Sequence, residues 1–226
     1  MSEKLQKPYI VYHSIVSQNG HIVDDLALNT YPQEIIADYF QIHQEFQAKA
    51  FLCESKILQD RYIVNAIEDV SRFGLWHMGR EDYLPTHKND YYVVSIDTSY
   101  SLRSDLSCIN DIRLGNSTPY IIEVLCKNAP DEFLAYLQAY NIAYIFAGDD
   151  TIDYALAMHK LKTLFDIDVL LLEDNGDVGK ALIEQGYVDE YSLVMPSQSD
   201  RSIVPDYLAR MAYEFVEHRQ LTGSKW

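Results

Sequence analysis

The chain has 226 residues, of which 48% are hydrophobic, and this composition excludes a disordered protein because a sizeable core can be buried. It carries 18 basic against 34 acidic residues, and the net charge of −16 disfavours binding to nucleic acid or to an anionic membrane. No apolar run reaches membrane-spanning length, and the first seven residues lack the apolar core of a signal peptide. We therefore predict a cytoplasmic protein.

The first part of the chain alternates between strand and helix patterns. Residues 9–16 are β-branched and aromatic, which predicts a buried strand, and the apolar residues of 35–46 recur at helical spacing. Residues 50–53 predict a second strand. The helical spacing returns over residues 57–73, and Gly74 is predicted to cap that helix.

The alternation continues to the end of the chain. A helix is predicted to start within residues 128–132, with Pro130 in its first turn, and Thr151 is predicted to cap the next one. The tail fits either a helix over 207–216 or a turn at Thr222-Gly223-Ser224 between closing strands. Further strands are predicted at 91–96, 120–125, 143–146 and 169–172. The pattern predicts an α/β fold, a single domain over 1–226 with a largely parallel sheet flanked by helices on both faces.

Most catalytic motifs with a fixed pattern are absent. The sequence contains no Gly-x-Ser-x-Gly, no His-Glu-x-x-His, no Gly-x-x-x-x-Gly-Lys-Ser/Thr and no Gly-x-Gly-x-x-Gly. Most hydrolases, zinc peptidases, kinases and ordinary dinucleotide dehydrogenases are thereby excluded. The three cysteines, Cys53, Cys108 and Cys126, are scattered, which predicts neither a disulfide framework nor a thiolate metal site.

The turn after the strand at 169–172 is the most informative segment. It reads Glu173-Asp174-Asn175-Gly176-Asp177-Val178-Gly179 and opens a helix, and α/β proteins bind phosphates at such turns. In one interpretation, the amides around Gly176 and Gly179, aided by Lys180, hold a nucleotide phosphate. In a second, carboxylates hold a divalent cation; they are Glu173, Asp174, Asp177, Asp149, Asp150 and Asp153. In a third, the turn only ends a strand and caps a helix.

The surrounding segment resembles a known family. Residues 170–190, Leu-Leu-Leu-Glu-Asp-Asn-Gly-Asp-Val-Gly-Lys and onward to Gly-Tyr-Val-Asp-Glu, resemble the hallmark of the dihydrofolate-reductase-like reductases of riboflavin biosynthesis. The family, typified by the C-terminal domain of the bifunctional deaminase/reductase, has Leu-Leu-Leu-Glu-Gly-Gly-Gly, two variable residues, Asn-Gly, a helix and Gly-Leu-Val-Asp-Glu. The register matches without a gap. Residues 144–148 and 15–20 resemble the family as well.

The resemblance implies a mixed, largely parallel sheet of the dihydrofolate-reductase type, a homodimer and NADPH as hydride donor. It implies a small-molecule substrate, typically a ribosylated or ribitylated aminopyrimidine that carries a phosphate. It also implies that Glu173 contacts the substrate and that Ser17 lies near the nicotinamide or the substrate. The residues that would line the cofactor phosphates are Asn175, Gly176, Asp177, Val178, Gly179 and Lys180.

The sequence departs from the family at the positions that would contact the cofactor. Asp174 and Asn175 replace two glycines, Asn19 replaces an aspartate, and Glu54-Ser55-Lys56-Ile57 stands where the family has Gly-Arg-x-Thr. Asp177 adds a further negative charge beside the expected phosphate. Two functions stay open. One is an NADPH-dependent pyrimidine reductase that acts on a small heterocyclic or nucleotide-like substrate. The other is a relative without NADPH binding that serves as a non-enzymatic or repurposed ligand-binding dimer.

Overall fold

The chain forms two compact units in a computed structural model. The terminal unit comprises Tyr9–Ala48 with Val169–Trp226, and the central unit comprises Met1–Pro8 with Lys49–Asp168. The structure describes residues 5–16, 32–63, 66–67, 69–74, 77–86, 91–109, 118–174, 176–196 and 217–221. The single domain over 1–226 stays a prediction.

Strands and helices alternate along the chain. The strands are β1 Tyr9–Ile15, β2 Ala50–Glu54, β3 Tyr92–Ile96, β4 Tyr120–Leu125, β5 Ala143–Phe146, β6 Val169–Leu172, β7 Glu190–Pro196 and β8 Glu217–Leu221. The helices are α1 Gln33–Glu45, α2 Ser55–Tyr62, α3 Asp131–Ala139, α4 Tyr154–Leu164 and α5 Asp177–Glu184. None of these helices has the length and apolar character that a membrane crossing requires, a finding that concerns the described residues alone.

The terminal unit is built on four parallel strands in the order β6, β1, β7 and β8. Ile10 lies opposite Leu170 on one side of β1, and His13 lies opposite Ser192 on the other. Six of the seven residues of β1 are buried, which is typical of a strand covered on both faces. Helix α1 contributes one buried face, made of Ile35, Ile36, Tyr39, Phe40, Ile42 and His43.

The central unit is built on four parallel strands in the order β5, β4, β3 and β2. The core of each strand is apolar, as the neighbours Val94 and Ile122 illustrate, and helix α3 buries Phe133 and Leu137. A row of polar and aromatic side chains crosses the strands in register: Cys53, Ser95, Glu123 and Tyr144.

The α/β class and the largely parallel sheet are confirmed. All strand pairs among the described residues are parallel. The antiparallel contacts expected of a mixed sheet occur among these residues only as isolated bridges. One of these joins Tyr83 to Tyr144. The predicted strands over 9–16, 50–53, 91–96, 120–125, 143–146 and 169–172 are all present.

The continuous helix predicted over 57–73 is wrong. Helix α2 ends at Tyr62, Ile63 is extended, and Ser71–Phe73 forms only a short 3-10 turn, which Gly74 closes. The reason is a long-range contact that helical spacing does not reveal. The Ile67 amide donates to the Arg103 carbonyl at 2.8 Å, and the neighbouring Ala66 bridges to Ser104, so this part of the chain pairs outside the helix.

Two smaller expectations also change. Asp153, and not Thr151, caps α4, because its carboxylate accepts a hydrogen bond from the Leu156 amide at 3.0 Å. The tail contains the strand β8, whereas the helix expected over 207–216 and the turn at 222–224 lie outside the described residues.

Candidate functional site

Glu173 lies at the carboxyl end of β6, where the chain leaves the sheet of the terminal unit. Only 3% of its side chain is exposed. Helix α1 brings His43, which is equally buried, towards it, and His43 Nε2 lies 3.0 Å from Glu173 Oε1. A buried carboxylate needs such a partner, since an isolated ion loses its hydration. The glutamate for which the family resemblance implies substrate contact is therefore engaged within the protein.

His13 lies on β1 in the same unit and is fully buried. Its Nε2 is 3.1 Å from the Tyr39 carbonyl, which only accepts, so this nitrogen carries the proton and donates. Its Nδ1 then accepts from the Ser192 hydroxyl at 3.1 Å. Burial lowers the pKa of His13 to about 4, although the nearby Glu173 charge opposes the shift. His13 is thus a neutral packing residue that joins β1, β7 and α1, and its ring stacks on that of Tyr39 with centroids 4.2 Å apart.

The β6–α5 turn, residues 173–176, is closed by the side chain of Asp174. One carboxylate oxygen accepts a hydrogen bond from the Gly176 amide at 2.7 Å, and the other accepts from the Gly179 amide at 2.8 Å. Asp174 is completely buried. The Gly176 and Gly179 amides were predicted to bind a cofactor phosphate. In the structure they donate to the Asp174 carboxylate instead.

Close backbone packing fixes the shape of this turn. A Cβ atom on Gly179 would lie 1.9 Å from the Asp174 carbonyl oxygen, so only glycine fits there. The Lys180 amide donates to the Gly176 carbonyl at 3.0 Å and continues α5. The Lys180 ammonium lies 3.8 Å from the Glu184 carboxylate, one helical turn further on. The Gly176, Gly179 and Lys180 amides are therefore all used by acceptors within the chain.

The β6–α5 turn does not fit a cofactor phosphate in this arrangement. A phosphate at a helix N-terminus needs free amide donors and tolerates little negative charge nearby. Here the Gly176 and Gly179 amides already bind the Asp174 carboxylate, and Asp177 stands in the first turn of α5. The cofactor-binding role of Gly176, Asp177, Val178, Gly179 and Lys180 stays a prediction, and no reaction step through NADPH follows from this geometry.

The other predicted positions are distributed as follows. Ser17 and Asn175 lie outside the described residues. The stretch that replaces the family's Gly-Arg-x-Thr forms the end of β2 and the first turn of α2, in the central unit. There the Ser55 hydroxyl lies 2.9 Å from that of Ser101. No group of three or more potential metal ligands is brought together in the described part of the chain.

The sequence missed the role of His43. In the sequence, His43 is only one position in the helical pattern that forms the buried face of α1, and its neighbours on that face are mostly apolar. A titratable side chain on an otherwise apolar helix face needs a polar partner in the core, and this signal could have identified His43. The identity of the partner, Glu173, depends on the tertiary fold.

Comparison with known proteins supports the fold. No protein-family model and no curated protein sequence matches the chain. Among solved structures, the riboflavin biosynthesis reductase Rib7 of Saccharomyces cerevisiae is similar over 84% of this chain and 74% of that chain, with 14% identity and a TM-score of 0.52. This chain has the fold of the riboflavin biosynthesis reductases.

Two bacterial proteins are also similar. RibD of Acinetobacter baumannii shares 12% identity over 93% of this chain, with a TM-score of 0.47. The deaminase/5-amino-6-(5-phosphoribosylamino)uracil reductase of Thermotoga maritima shares 13% identity over 92%, with a TM-score of 0.43. This chain spans about half the length of each, 51% and 50% respectively.

Proposed function

We propose that this chain is a repurposed relative of the riboflavin biosynthesis reductases, which keeps their fold but no longer holds NADPH at the β6–α5 turn. One observation carries the proposal: the buried Asp174 carboxylate accepts the Gly176 and Gly179 amides at 2.7 and 2.8 Å. An incoming phosphate would have to displace this carboxylate before it reached the same donors.

The hydrogen-bond and charge energies favour the Asp174 carboxylate over an incoming phosphate. Each hydrogen bond to a charged group is worth about 1.5–3 kcal/mol, and Asp174 makes two. A phosphate that stayed about 4 Å from a second carboxylate would lose a further ~1–4 kcal/mol, depending on how well water screens the pair. Even the lower ends of these ranges combine to about 4 kcal/mol, which weakens binding roughly 1,000-fold. A dinucleotide that binds related turns in the micromolar range would bind here only near millimolar concentrations.

The proposed role is therefore that of a ligand-binding or scaffolding protein without hydride transfer. Glu173 supports this view, because its carboxylate lies 3.0 Å from His43 and is almost entirely buried. The same family resemblance supports a homodimer, and the net charge of −16 supports a protein without a nucleic-acid partner. Light scattering of the purified protein measures the oligomeric state.

A second candidate is an NADPH-dependent reductase of the riboflavin type, acting on a small heterocyclic or nucleotide-like substrate. The observation that favours it is a fold like that of Rib7 over 84% of the chain, with Glu173 at the end of β6. This candidate requires the Asp174 carboxylate to leave the two amides when the cofactor binds, or the phosphates to bind elsewhere.

A titration with NADPH separates the two candidates. The repurposed relative is expected to show no saturable change in nicotinamide fluorescence up to about 1 mM, which corresponds to roughly 4 kcal/mol of binding free energy. Micromolar binding by the wild-type protein would contradict the proposal and establish the cofactor of a reductase. NADH in a parallel titration shows whether any binding depends on the 2′-phosphate.

A further inference from the structure

A buried carboxyl group lies in the middle of the central unit. Glu123 belongs to β4 and is fully shielded from solvent. Within the described residues, neither its two carboxyl oxygens nor the facing Ser95 hydroxyl has a hydrogen-bond partner of good geometry. An ionised carboxylate in this setting would be very unfavourable. Glu123 therefore keeps its proton in the folded protein.

A second carboxylate stands close by and organises the segment after β3. The Asp97 amide donates to the Val124 carbonyl at 3.3 Å and so continues the β3–β4 pairing, which places Asp97 on the same face as Ser95, two residues earlier. Asp97 is almost completely buried, and it accepts hydrogen bonds from the main-chain amides of Ser99, Ser101 and Leu102 and from the Ser99 hydroxyl. The Asp97 side chain thus fixes the conformation of residues 99–102.

We call residues 97–104 the β3 strap. Within it, Tyr100 adopts φ 55°, a left-handed conformation that is strained for a bulky residue. Ser101 contacts Ser55 at the start of α2, and the Tyr136 hydroxyl of α3 donates to the Ser104 carbonyl at 2.8 Å. The strap therefore lies at the carboxyl ends of β2 and β3, the edge at which parallel sheets usually bind ligands.

The two carboxyl groups influence each other. Burial, followed by the Asp97 charge, raises the pKa of Glu123 well above its ordinary value, and the Ser95 hydroxyl only partly opposes the shift. The titratable groups that face Glu123 are Asp97 after β3, Tyr144 on β5 and Tyr136 on α3. Cys53 lies one strand further away, opposite Ser95, and Arg103 of the strap lies near Tyr136. Arg103 donates to the Tyr100 and Leu102 carbonyls.

We propose that Glu123 is a proton-controlled latch for the β3 strap. With Glu123 neutral, the Asp97 carboxylate stays in place and holds the strained segment closed. When Glu123 gives its proton to solvent, two buried like charges face each other, Asp97 moves away, and the strap releases the ends of β2 and β3. The strap is closed while Glu123 keeps its proton and opens when a rise in pH removes that proton.

Hydrogen exchange of the strap tests the latch. The wild-type protein and Glu123→Gln, which cannot ionise, are compared at the same pH, so that the intrinsic pH dependence of exchange cancels. We expect equal protection at mildly acidic pH. At alkaline pH the wild-type strap is expected to exchange about tenfold faster than the Gln variant, the factor that one unit of pKa shift represents. Equal exchange of both proteins at every pH would overturn the proposal.

Two further measurements make the outcome specific. Glu184→Gln removes an exposed carboxyl group in the terminal unit and should leave the strap as pH-dependent as in the wild type. Infrared spectroscopy of the wild-type protein should show the band of a buried protonated carboxyl group at neutral pH. That band should disappear over the same pH range in which the strap opens. A wild-type spectrum without it at neutral pH would refute the latch even if Glu123→Gln failed to fold.

Discussion

The Asp174 carboxylate accepts the backbone amide of Gly179 at 2.8 Å, and the Asp174 carbonyl oxygen occupies the space that a side chain at Gly179 would need. Each residue depends on the other. The aspartate supplies the charge that satisfies the start of α5, and the missing side chain of the glycine lets the two backbones meet. The structure of the turn therefore depends on both residues, and its stability and ligand preference change together.

Gly179→Ala is expected to destabilise the protein by about 3 kcal/mol, the upper part of the range for overpacked sites. The added Cβ would lie 1.9 Å from a backbone oxygen, which cannot rotate away as a side chain does. The urea midpoint measures the loss. Gly79→Ala is the matched control, because the nearest atom to its Cβ is 3.6 Å away at the end of the Glu81 side chain. Equal midpoints for the two variants would contradict the steric explanation.

Asp174→Gly is expected to lower stability by about 3 kcal/mol, since the Gly176 and Gly179 amides lose a charged acceptor. The same change frees these donors and removes a negative charge, so NADPH binding should become measurable by fluorescence. Asp166→Gly is the control: it removes an equal charge from an exposed residue with φ 54°, where glycine is tolerated. If both variants bind NADPH as weakly as the wild type, Asp174 is not what excludes it.

His13 makes stability sensitive to acid. Its pKa is about 4 in the folded protein and 6.5 ordinarily, so the unfolded chain binds the extra proton first. Stability is therefore complete above pH 6.5 and falls as the pH drops towards 4, by at most about 3 kcal/mol.

Urea unfolding of His13→Phe at several pH values tests this prediction. The wild type should lose more stability than the variant between pH 6.5 and 4, because Phe has no proton to bind. A His13→Phe variant with an unchanged pH dependence would show that protonation of His13 does not limit stability.

The buried side chains of His43 and Glu173 should depend on each other for stability. Removing His43 alone leaves the Glu173 carboxyl group buried without this partner, at a cost of about 3–5 kcal/mol. We expect the double variant His43→Gln/Glu173→Gln to be less destabilised than the sum of the single variants. The equivalent cycle on His77 and Asp131, whose histidine is exposed, should give a much smaller coupling. Additive effects at His43 and Glu173 would rule out a buried pair.

The elements with strong local patterns were predictable from the sequence. The apolar run of β6 and the helical spacing of α1 determine which faces are buried, and both elements formed where expected. The helix expected over 57–73 fails because Ile67 pairs with Arg103, a contact between distant parts of the chain. Local spacing carries no information about such a partner.

The candidate site was predictable only in outline. The replacement of a family glycine by Asp174 is visible in the sequence, and so is the charge it brings. The direction of that carboxylate, into the amides of Gly176 and Gly179, follows from side-chain geometry. The partner of His43 likewise depends on the packing of α1 near the end of β6.

The closed β6–α5 turn also has a genetic consequence. Each aspartate codon becomes a glycine codon when its second base changes. A single point mutation at position 174 therefore removes the carboxylate and leaves the two amide donors of the turn without it. One base change can therefore convert aspartate into glycine at this position, or glycine into aspartate. A natural variant with glycine at position 174 would be the one in which to measure dinucleotide binding.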